Sequence, residues 1–261
     1  MEVVSPLVGQ EARGLEGLHL YHYGLSNCSQ KVRMVLAEKG LSWTNHHVDL
    51  AKSEHRTDAY RRVHPNGVVP ALVDEGTIVI ESSDIMEYLD ERFPNPPLRP
   101  AAEHDLVQMR QWVARQDSIQ RALGTLSNEF VFRAIGVSNG AAPSRSTIAG
   151  GVRTVNEALA ELNRHMCDRT WLVGNALSLG DIAWVVDVHR FARMHFPMFM
   201  YPNLGGWYRR MRKLTSFRQA VLAYEPSGFR RRVDLYTMRR WLSGTHVASP
   251  RWRNPRFIAD A

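Results

Sequence analysis

A thiol and two hydroxyls lie together in residues 26–29, Ser-Asn-Cys-Ser. The apolar and aromatic residues at 18–23 predict a strand that Gly24 ends. Apolar residues at 32, 35 and 36 then recur at helical spacing, so that residues 26–29 fall where a helix cap normally sits. The amino end of a helix favours negative charge, because its backbone N–H groups and its dipole both point there. The segment is therefore suited to hold a thiolate.

A second group of polar residues follows about forty positions later, around a predicted hairpin. Residues 64–69 form a turn, and Pro70 opens a strand over 71–73. Asp-Glu-Gly at 74–76 predicts a hairpin turn, with residues 77–80 as the return strand. The run Glu-Ser-Ser-Asp at 81–84 has the hydroxyls and the early acid that are typical of a helix start.

Three motifs in this order carry a family resemblance: the Ser-x-Cys-Ser-x-Lys-Val turn at 26–32, the Val69–Pro70 pair and the Glu81–Ser82 pair. Together they resemble the serine-type members of the cytosolic glutathione S-transferase superfamily, over about residues 17–225. The resemblance implies an α/β thioredoxin-like N-terminal domain followed by an all-α C-terminal domain, and it implies glutathione as cosubstrate.

The turn at 26–29 would hold the sulfur of glutathione. By resemblance, the Ser26 hydroxyl donates to that sulfur, with Asn27 and Ser29 as alternative donors; Ser26 could equally do no more than cap the helix. Cys28 resembles the cysteine of glutathione-dependent reductive dehalogenases and zeta-class isomerases, where it forms a mixed disulfide or assists an isomerisation. A small residue that merely fills the turn is the alternative interpretation of Cys28.

The remaining contacts to glutathione are also implied by the resemblance. Val69–Pro70 would have a cis peptide bond, which leaves the Val69 backbone to pair with the cysteinyl part of glutathione. Ser82 would bind the γ-glutamyl carboxylate with backbone N–H groups, and Glu81 would bind the ammonium group. His55 and Lys52 lie where relatives place a cation for the glycine carboxylate, although a solvated surface explains them nearly as well.

Proline and glycine positions divide the chain into five parts. We expect a leader over 1–16, the glutathione-binding domain over 17–95, a proline-rich linker over 96–102, an all-helical domain over 103–228 and a basic extension over 229–261. In the extension, eight arginines oppose three acids over residues 225–261. Such a tail could bind an anionic surface, but a solvated arm or a packed helix is the commoner outcome.

Apolar spacing in the helical domain predicts a long helix over 103–134, a surface loop over 134–151 and a second helix over 152–166. Ser178 and Asp181 then form a capping-box pair at the start of another helix. We expect Asp181 to be structural, with a stability cost on the order of 1 kcal/mol or more when it is replaced.

Composition narrows the class of protein. The chain has 261 residues with 44% apolar and 23% charged residues, which fits a globular protein with room for two domains. No apolar run approaches the length of a membrane span, and residues 1–17 lack a secretory pattern. Two distant cysteines suggest a reducing cytoplasm. The histidines lack metal-ligand spacing. We therefore expect no metal, no nucleic acid and no membrane as partners.

The resemblance implies a reaction in which the glutathione thiolate attacks an electrophilic carbon and displaces a leaving group. Residues 66–73 and 88–94 and the basic tail look like bacterial β-aryl etherases, which cleave lignin-derived ethers. The 26–31 turn and residues 209–217 look like reductive dehalogenases, whose route uses Cys28. A non-catalytic scaffold, or a silent subunit of a heterodimer, is the alternative of another class. Relatives are usually dimers, so we expect a homodimer or a heterodimer with a paralogue that takes a small aromatic electrophile.

Overall fold

The computed structural model describes residues 12–137 and 141–247. These residues divide into two compact units, the first formed by 12–101 and 213–225 and the second by the rest. The first unit contains β1 (Leu18–His22), α1 (Asn27–Glu38), β2 (Thr44–His47), α2 (Asp58–Arg61), β3 (Ala71–Asp74), β4 (Thr77–Ile80), α3 (Ser82–Arg92) and, from later in the chain, α9 (Thr215–Ala220).

The sheet of the first unit has the strand order β2-β1-β3-β4. β2 runs parallel to β1, whereas β3 and β4 are antiparallel to their neighbours. The β3–β4 hairpin is the one predicted from Asp-Glu-Gly at 74–76. The expected thioredoxin-like N-terminal domain is confirmed.

The second unit is helical over the residues that the structure describes. Its longer helices are α4 (Glu103–Ser118), α5 (Gln120–Ser127), α6 (Arg145–His165), α7 (Leu179–Arg193), α8 (Pro202–Met211) and α10 (Phe229–Leu242), with a π-helical turn at Asn128–Phe132. No helix in the described ranges is both long and apolar enough to cross a bilayer. The expected all-α second domain is confirmed, so the predicted fold class holds for both units.

The predicted long helix over 103–134 is interrupted at Ile119, where α4 ends and α5 begins. The Ile119 amide donates to Gln116 O, three residues back, so the last turn of α4 is tighter than an α-helix. Ile119 is fully buried and keeps the apolar spacing unbroken across the junction. Hydrophobic periodicity therefore gave no sign of the break.

The predicted loop over 134–151 is too long at its carboxyl end, because α6 already begins at Arg145. The Ser144 side chain caps this helix by accepting from the Thr147 amide at 3.1 Å. Gly151 lies inside α6, where a Cβ would stand 3.5 Å from the Leu126 side chain. The glycine therefore lies inside a helix and does not mark a loop.

The predicted domain boundaries differ from the observed units at two places. The segment 213–225 belongs to the first unit, where the Ser216 hydroxyl contacts the Glu38 carboxylate of α1. The predicted leader is also packed at its end: Ala12 is fully buried, and a Cβ on Gly76 would stand 2.3 Å from Arg13 O. Residues 1–11 of the leader and residues 248–261 of the basic extension lie outside the described part of the chain.

The capping box predicted at the start of α7 is confirmed. The Asp181 carboxylate is fully buried and accepts from the Ser178 amide at 3.0 Å. It also accepts from the Leu172 amide at 2.9 Å and from the Trp207 indole N–H at 2.8 Å. Asp181 therefore joins the start of α7 to a loop and to α8, which is more than a helix cap requires.

Candidate active site

Three chain segments converge at one edge of the sheet. Tyr21, near the end of β1, pairs with Ala71 at the start of β3, and Ala71 pairs with Ile80 at the end of β4. The residues that follow β1, precede β3 and follow β4 therefore leave the sheet at the same edge. The sheet register thus brings the 26–29 turn, Val69–Pro70 and Glu81–Ser82 to a common place.

The 26–29 turn begins α1 as predicted. Ser26 is the N-cap, and its side-chain oxygen accepts from the Ser29 amide at 3.3 Å. The Ser29 oxygen in turn accepts from the Tyr23 amide at 3.4 Å, and the Ser29 side chain is fully buried. Asn27 is buried, and Cys28 is a half-buried thiol outside any disulfide. The Ser26 hydroxyl and the Cys28 thiol are thus the more accessible groups of the turn.

The charges around this helix end favour a bound anion. The first turn of α1 contains no acidic residue, while Lys31 and Arg33 are buried in the same helix. The Lys31 ammonium donates to the Ser83 hydroxyl at 3.0 Å, which connects α1 to the start of α3. Two buried cations therefore add to the positive end of the α1 dipole.

The loop before β3 is held tightly against the chain around residue 55. The Val69–Pro70 peptide bond is cis, as predicted. The Tyr60 hydroxyl donates to Val68 O at 2.7 Å. Gly67 has φ +59°, and a Cβ on it would stand 2.7 Å from His55 O. No other residue fits at position 67 without moving the backbone.

The start of α3 combines strain with an exposed carboxylate. Glu81 has φ +63° and ψ 118°, a region that is costly for any residue with a Cβ. The Asn66 side-chain amide donates to the Glu81 carboxylate at 3.4 Å. Ser82 is the first helical residue and is buried. Strain of this kind is typical of ligand-binding sites, where the surrounding structure holds an unfavourable conformation.

Comparison with known proteins identifies this arrangement. The sequence models described as "Glutathione S-transferase, N-terminal domain" and "Glutathione S-transferase, C-terminal domain" match residues 20–97 and 110–210. A "Probable maleylacetoacetate isomerase 2" of Drosophila melanogaster is 31% identical over 79% of this chain and 88% of its own length. The chain belongs to the glutathione S-transferase family. Glutathione is the cosubstrate of this family.

Two further proteins are similar to this glutathione transferase. "Glutathione S-transferase Z2" of Arabidopsis thaliana is 29% identical over 80% of this chain and 92% of its own length. The solved structure of the β-etherase LigF from Sphingobium sp. strain SYK-6 is 26% identical and superimposes with a TM-score of 0.71. That likeness covers 78% of this chain and 98% of LigF. This glutathione transferase is therefore similar both to zeta-class proteins and to an etherase.

The two residues predicted to bind the glycine carboxylate, His55 and Lys52, have different surroundings. Burial, followed by the nearby Arg56 and Arg61, lowers the pKa of His55 below its usual value, so its ring is neutral at pH 7. Its Nδ1 is buried and has no partner within the described residues. Lys52 is 76% exposed and contacts Asp49 at 3.6 Å. His55 can thus offer a hydrogen bond but not a charge.

A buried polar cluster behind the 26–29 turn of this glutathione transferase was not predicted. The Arg33 guanidinium lies within 2.8 Å of His22 Nδ1, and His22 Nε2 lies 2.5 Å from Asn45 Oδ1. Burial lowers the pKa of His22 to about 3, so this ring is neutral. Arg33 stays cationic, with a pKa that burial lowers to about 9. The sequence signal that could have revealed this cluster is the position of Arg33, next to the apolar residues of α1.

Proposed function

We propose that this glutathione transferase binds glutathione along the sheet edge at which the three segments converge. The sulfur would lie at Ser26, the cysteinyl backbone at Val69, and the γ-glutamyl group at Glu81 and Ser82. The observation that carries the proposal is the register of β1, β3 and β4, since it puts all three predicted contact segments at one edge. His55, whose Nδ1 has no hydrogen-bond partner among the described residues, is the remaining candidate and would face the glycine end.

Ser26 is the proposed donor to the thiolate, in preference to Ser29 and Asn27. Its oxygen already accepts from the Ser29 amide, so its own O–H proton is left to donate to sulfur. Ser29 is fully buried and Asn27 nearly so. Lowering a thiol pKa by about two units requires roughly 2.7 kcal/mol. The stabilisation that one hydroxyl donor gives to a thiolate at the amino end of a helix is of about that size.

The proposed reaction is nucleophilic displacement at carbon. The glutathione sulfur forms a bond to an electrophilic carbon, and the bond from that carbon to the leaving group breaks. The leaving group departs with the electron pair and takes up a proton. With an aryl ether next to a ketone, the products are a glutathione thioether and a phenol. The likeness to the etherase LigF supports this choice of substrate.

Isomerisation is the second candidate reaction. It is favoured by the zeta-class and maleylacetoacetate isomerase relatives and by the accessible Cys28 thiol in the same turn. In such a reaction, addition of the thiolate to an unsaturated carbon and later elimination would return glutathione unchanged. The two candidates therefore differ in whether glutathione is consumed.

The deciding experiment measures phenol release and glutathione consumption together. With a β-aryl ether ketone and glutathione, we expect one phenol released for each glutathione consumed. With maleylacetoacetate, an isomerase would convert the substrate while the glutathione concentration stays constant. Conversion of maleylacetoacetate alone would replace the etherase proposal. No turnover of either substrate and no retention on immobilised glutathione would favour a scaffold or the silent subunit of a heterodimer.

Variants of the 26–29 turn test the role of each side chain. We expect Ser26→Ala to lower kcat/KM by roughly 10²–10³, as the loss of a donor to a developing or stabilised anion does elsewhere. Ser144→Ala is the matched control, because it also removes a helix cap but lies in the second unit. Cys28→Ser should leave displacement unchanged. A loss of activity in Cys28→Ser alone would favour the cysteine-dependent route.

We also propose a dimeric, cytoplasmic enzyme. The family resemblance suggests the dimer, and the two thiols suggest a reducing compartment. Light scattering of the purified protein at micromolar concentration measures the assembly directly. A monomer by this measurement would contradict the proposed dimer without affecting the proposed chemistry.

A further inference from the structure

The Arg33 side chain is enclosed by backbone carbonyls. Its Nε and Nη2 donate to Ala220 O at 3.0 and 2.7 Å, and Nη2 also donates to Gly24 O at 2.7 Å. Its Nη1 donates to Tyr23 O at 3.4 Å and to His22 Nδ1 at 2.8 Å. The five N–H groups of the guanidinium thus have five contacts within the fold. Arg33 has no donor left for a substrate.

The Tyr224 ring covers one face of the Arg33 guanidinium. The centre of its ring lies 3.8 Å from Arg33 Cζ, which is the geometry of a cation–π contact. The same ring closes on the turn, because a Cβ on Gly24 would stand 3.2 Å from Tyr224 Cδ1. Residues 213–225 therefore hold the backbone just before the 26–29 turn, with Arg33 as the link.

These contacts bear on chemistry because two of the acceptors, Tyr23 O and Gly24 O, lie three and two residues before Ser26. A hydroxyl stabilises a thiolate only if its position is fixed to within about 0.5 Å. The backbone that sets the position of Ser26 is in turn fixed by Arg33 and by a segment from the far end of the chain.

We propose that Arg33 is a positioning residue for the thiolate-binding turn, and that it connects this turn to residues 213–225. The inference rests on the proposed function, because it assumes that Ser26 donates to the glutathione sulfur. It assigns to Arg33 no contact with glutathione or with the electrophile. Its role is to hold the Tyr23 and Gly24 carbonyls, and with them the Ser26 hydroxyl, at the distance that the thiolate requires.

Arg33→Lys is the informative substitution. Arg33→Lys keeps the charge but has three donors instead of five and lacks the planar fork that spans Ala220 O and Gly24 O. Lys39→Arg is the matched control. Lys39 is the buried cation at the other end of α1, where its ammonium contacts Phe93 O, Pro96 O and the Asp90 carboxylate.

The measurement is the pKa of the glutathione thiol bound to each protein, obtained from thiolate absorbance in the ultraviolet during a pH titration. We expect both variants to melt at a lower temperature than the wild type. Only Arg33→Lys should raise the pKa of the bound thiol, by about one unit, which is a tenfold fall in the ratio of thiolate to thiol. Equal bound-thiol pKa values in both variants would overturn the proposal and leave Arg33 a purely structural residue.

A second pair of variants covers the case in which Arg33→Lys does not fold. Tyr224→Ala removes the ring that presses on Arg33 and Gly24, whereas Tyr224→Phe keeps it. Tyr224→Ala should raise the bound-thiol pKa in the same direction, and Tyr224→Phe should leave it unchanged; no difference between them would contradict the inference. If the wild-type protein itself leaves the glutathione thiol at its solution pKa, the proposed function fails, whatever the variants do.

Discussion

Replacing Asp181 with alanine removes a carboxylate that accepts four hydrogen bonds. The carboxylate is fully buried and accepts from Leu172 N, Ser178 N, Ser178 Oγ and Trp207 Nε1 at 2.8 to 3.0 Å. The Ser178 hydroxyl can rotate towards another acceptor. The three N–H groups cannot, because they belong to backbone or to a rigid indole ring.

The magnitude follows from these three donors. A buried donor that loses its acceptor costs about 1–3 kcal/mol, so three would cost about 3–9 kcal/mol. Water that enters the vacated space would offset part of this cost. We therefore expect Asp181→Ala to lower the free energy of unfolding by about 4 kcal/mol. Loss of an ordinary helix cap costs about 1 kcal/mol, which is the lower bound that the sequence alone suggested.

The assay is urea denaturation at neutral pH, followed by tryptophan fluorescence and far-ultraviolet circular dichroism. Ser178→Ala is the matched variant, because it removes the cap but leaves the contacts of Asp181 with Leu172 and Trp207. We expect it to cost about 1 kcal/mol. If Asp181→Ala and Ser178→Ala agree within about 0.5 kcal/mol, the contacts to Leu172 and Trp207 contribute nothing and the reasoning is refuted.

Two further predictions concern the first unit. Burial lowers the pKa of His22 to about 3 and that of His46 to about 4, so the unfolded chain binds more protons between these values and pH 6.5. These two histidines should therefore leave the free energy of unfolding unaffected above pH 6.5, and each should lower it by about 2 kcal/mol at pH 5.0. A urea midpoint that is equal at pH 7.5 and 5.0 would contradict this. Gly67→Ala should weaken glutathione binding about tenfold by calorimetry, because its Cβ would meet His55 O at 2.7 Å. Gly40→Ala, also at positive φ but with nothing within 4 Å, should retain the affinity.

Local signals in the sequence were enough to predict several elements of both units. The cap at Ser26, the hairpin turn at 74–76 and the capping box at Ser178 each depend on residues within a few positions of one another. Such contacts depend only on residues that are close together in the sequence.

Features that depend on distant contacts were not predictable from spacing. The break at Ile119 preserves the hydrophobic period, so nothing in the pattern distinguishes it from a continuous helix. Gly151 was interpreted as a loop residue, although it is buried inside α6. Arg33 bonds to Ala220, 187 positions away, and no local rule brings these two residues together.

The candidate site shows the same difference between features that local signals predict and features that depend on distant contacts. Ser26, Val69–Pro70 and Glu81–Ser82 were found by motif, and the sheet register accounts for their common edge. The charge state of His55 was not readable from the sequence, because it depends on burial and on Arg56 and Arg61. Residue types at a site can thus be named in advance, but their protonation requires the fold.

The backbone of Glu81 has a consequence for laboratory evolution of this protein. Its φ of +63° would be relaxed by glycine, and the relief is worth about 1–3 kcal/mol. A library screened only for heat resistance would therefore accumulate Glu81→Gly, at the expense of the carboxylate that we expect to grip the tripeptide ammonium. At position 81, thermal stability and affinity for glutathione therefore favour different residues. Such a screen should alternate heating with capture on a glutathione resin.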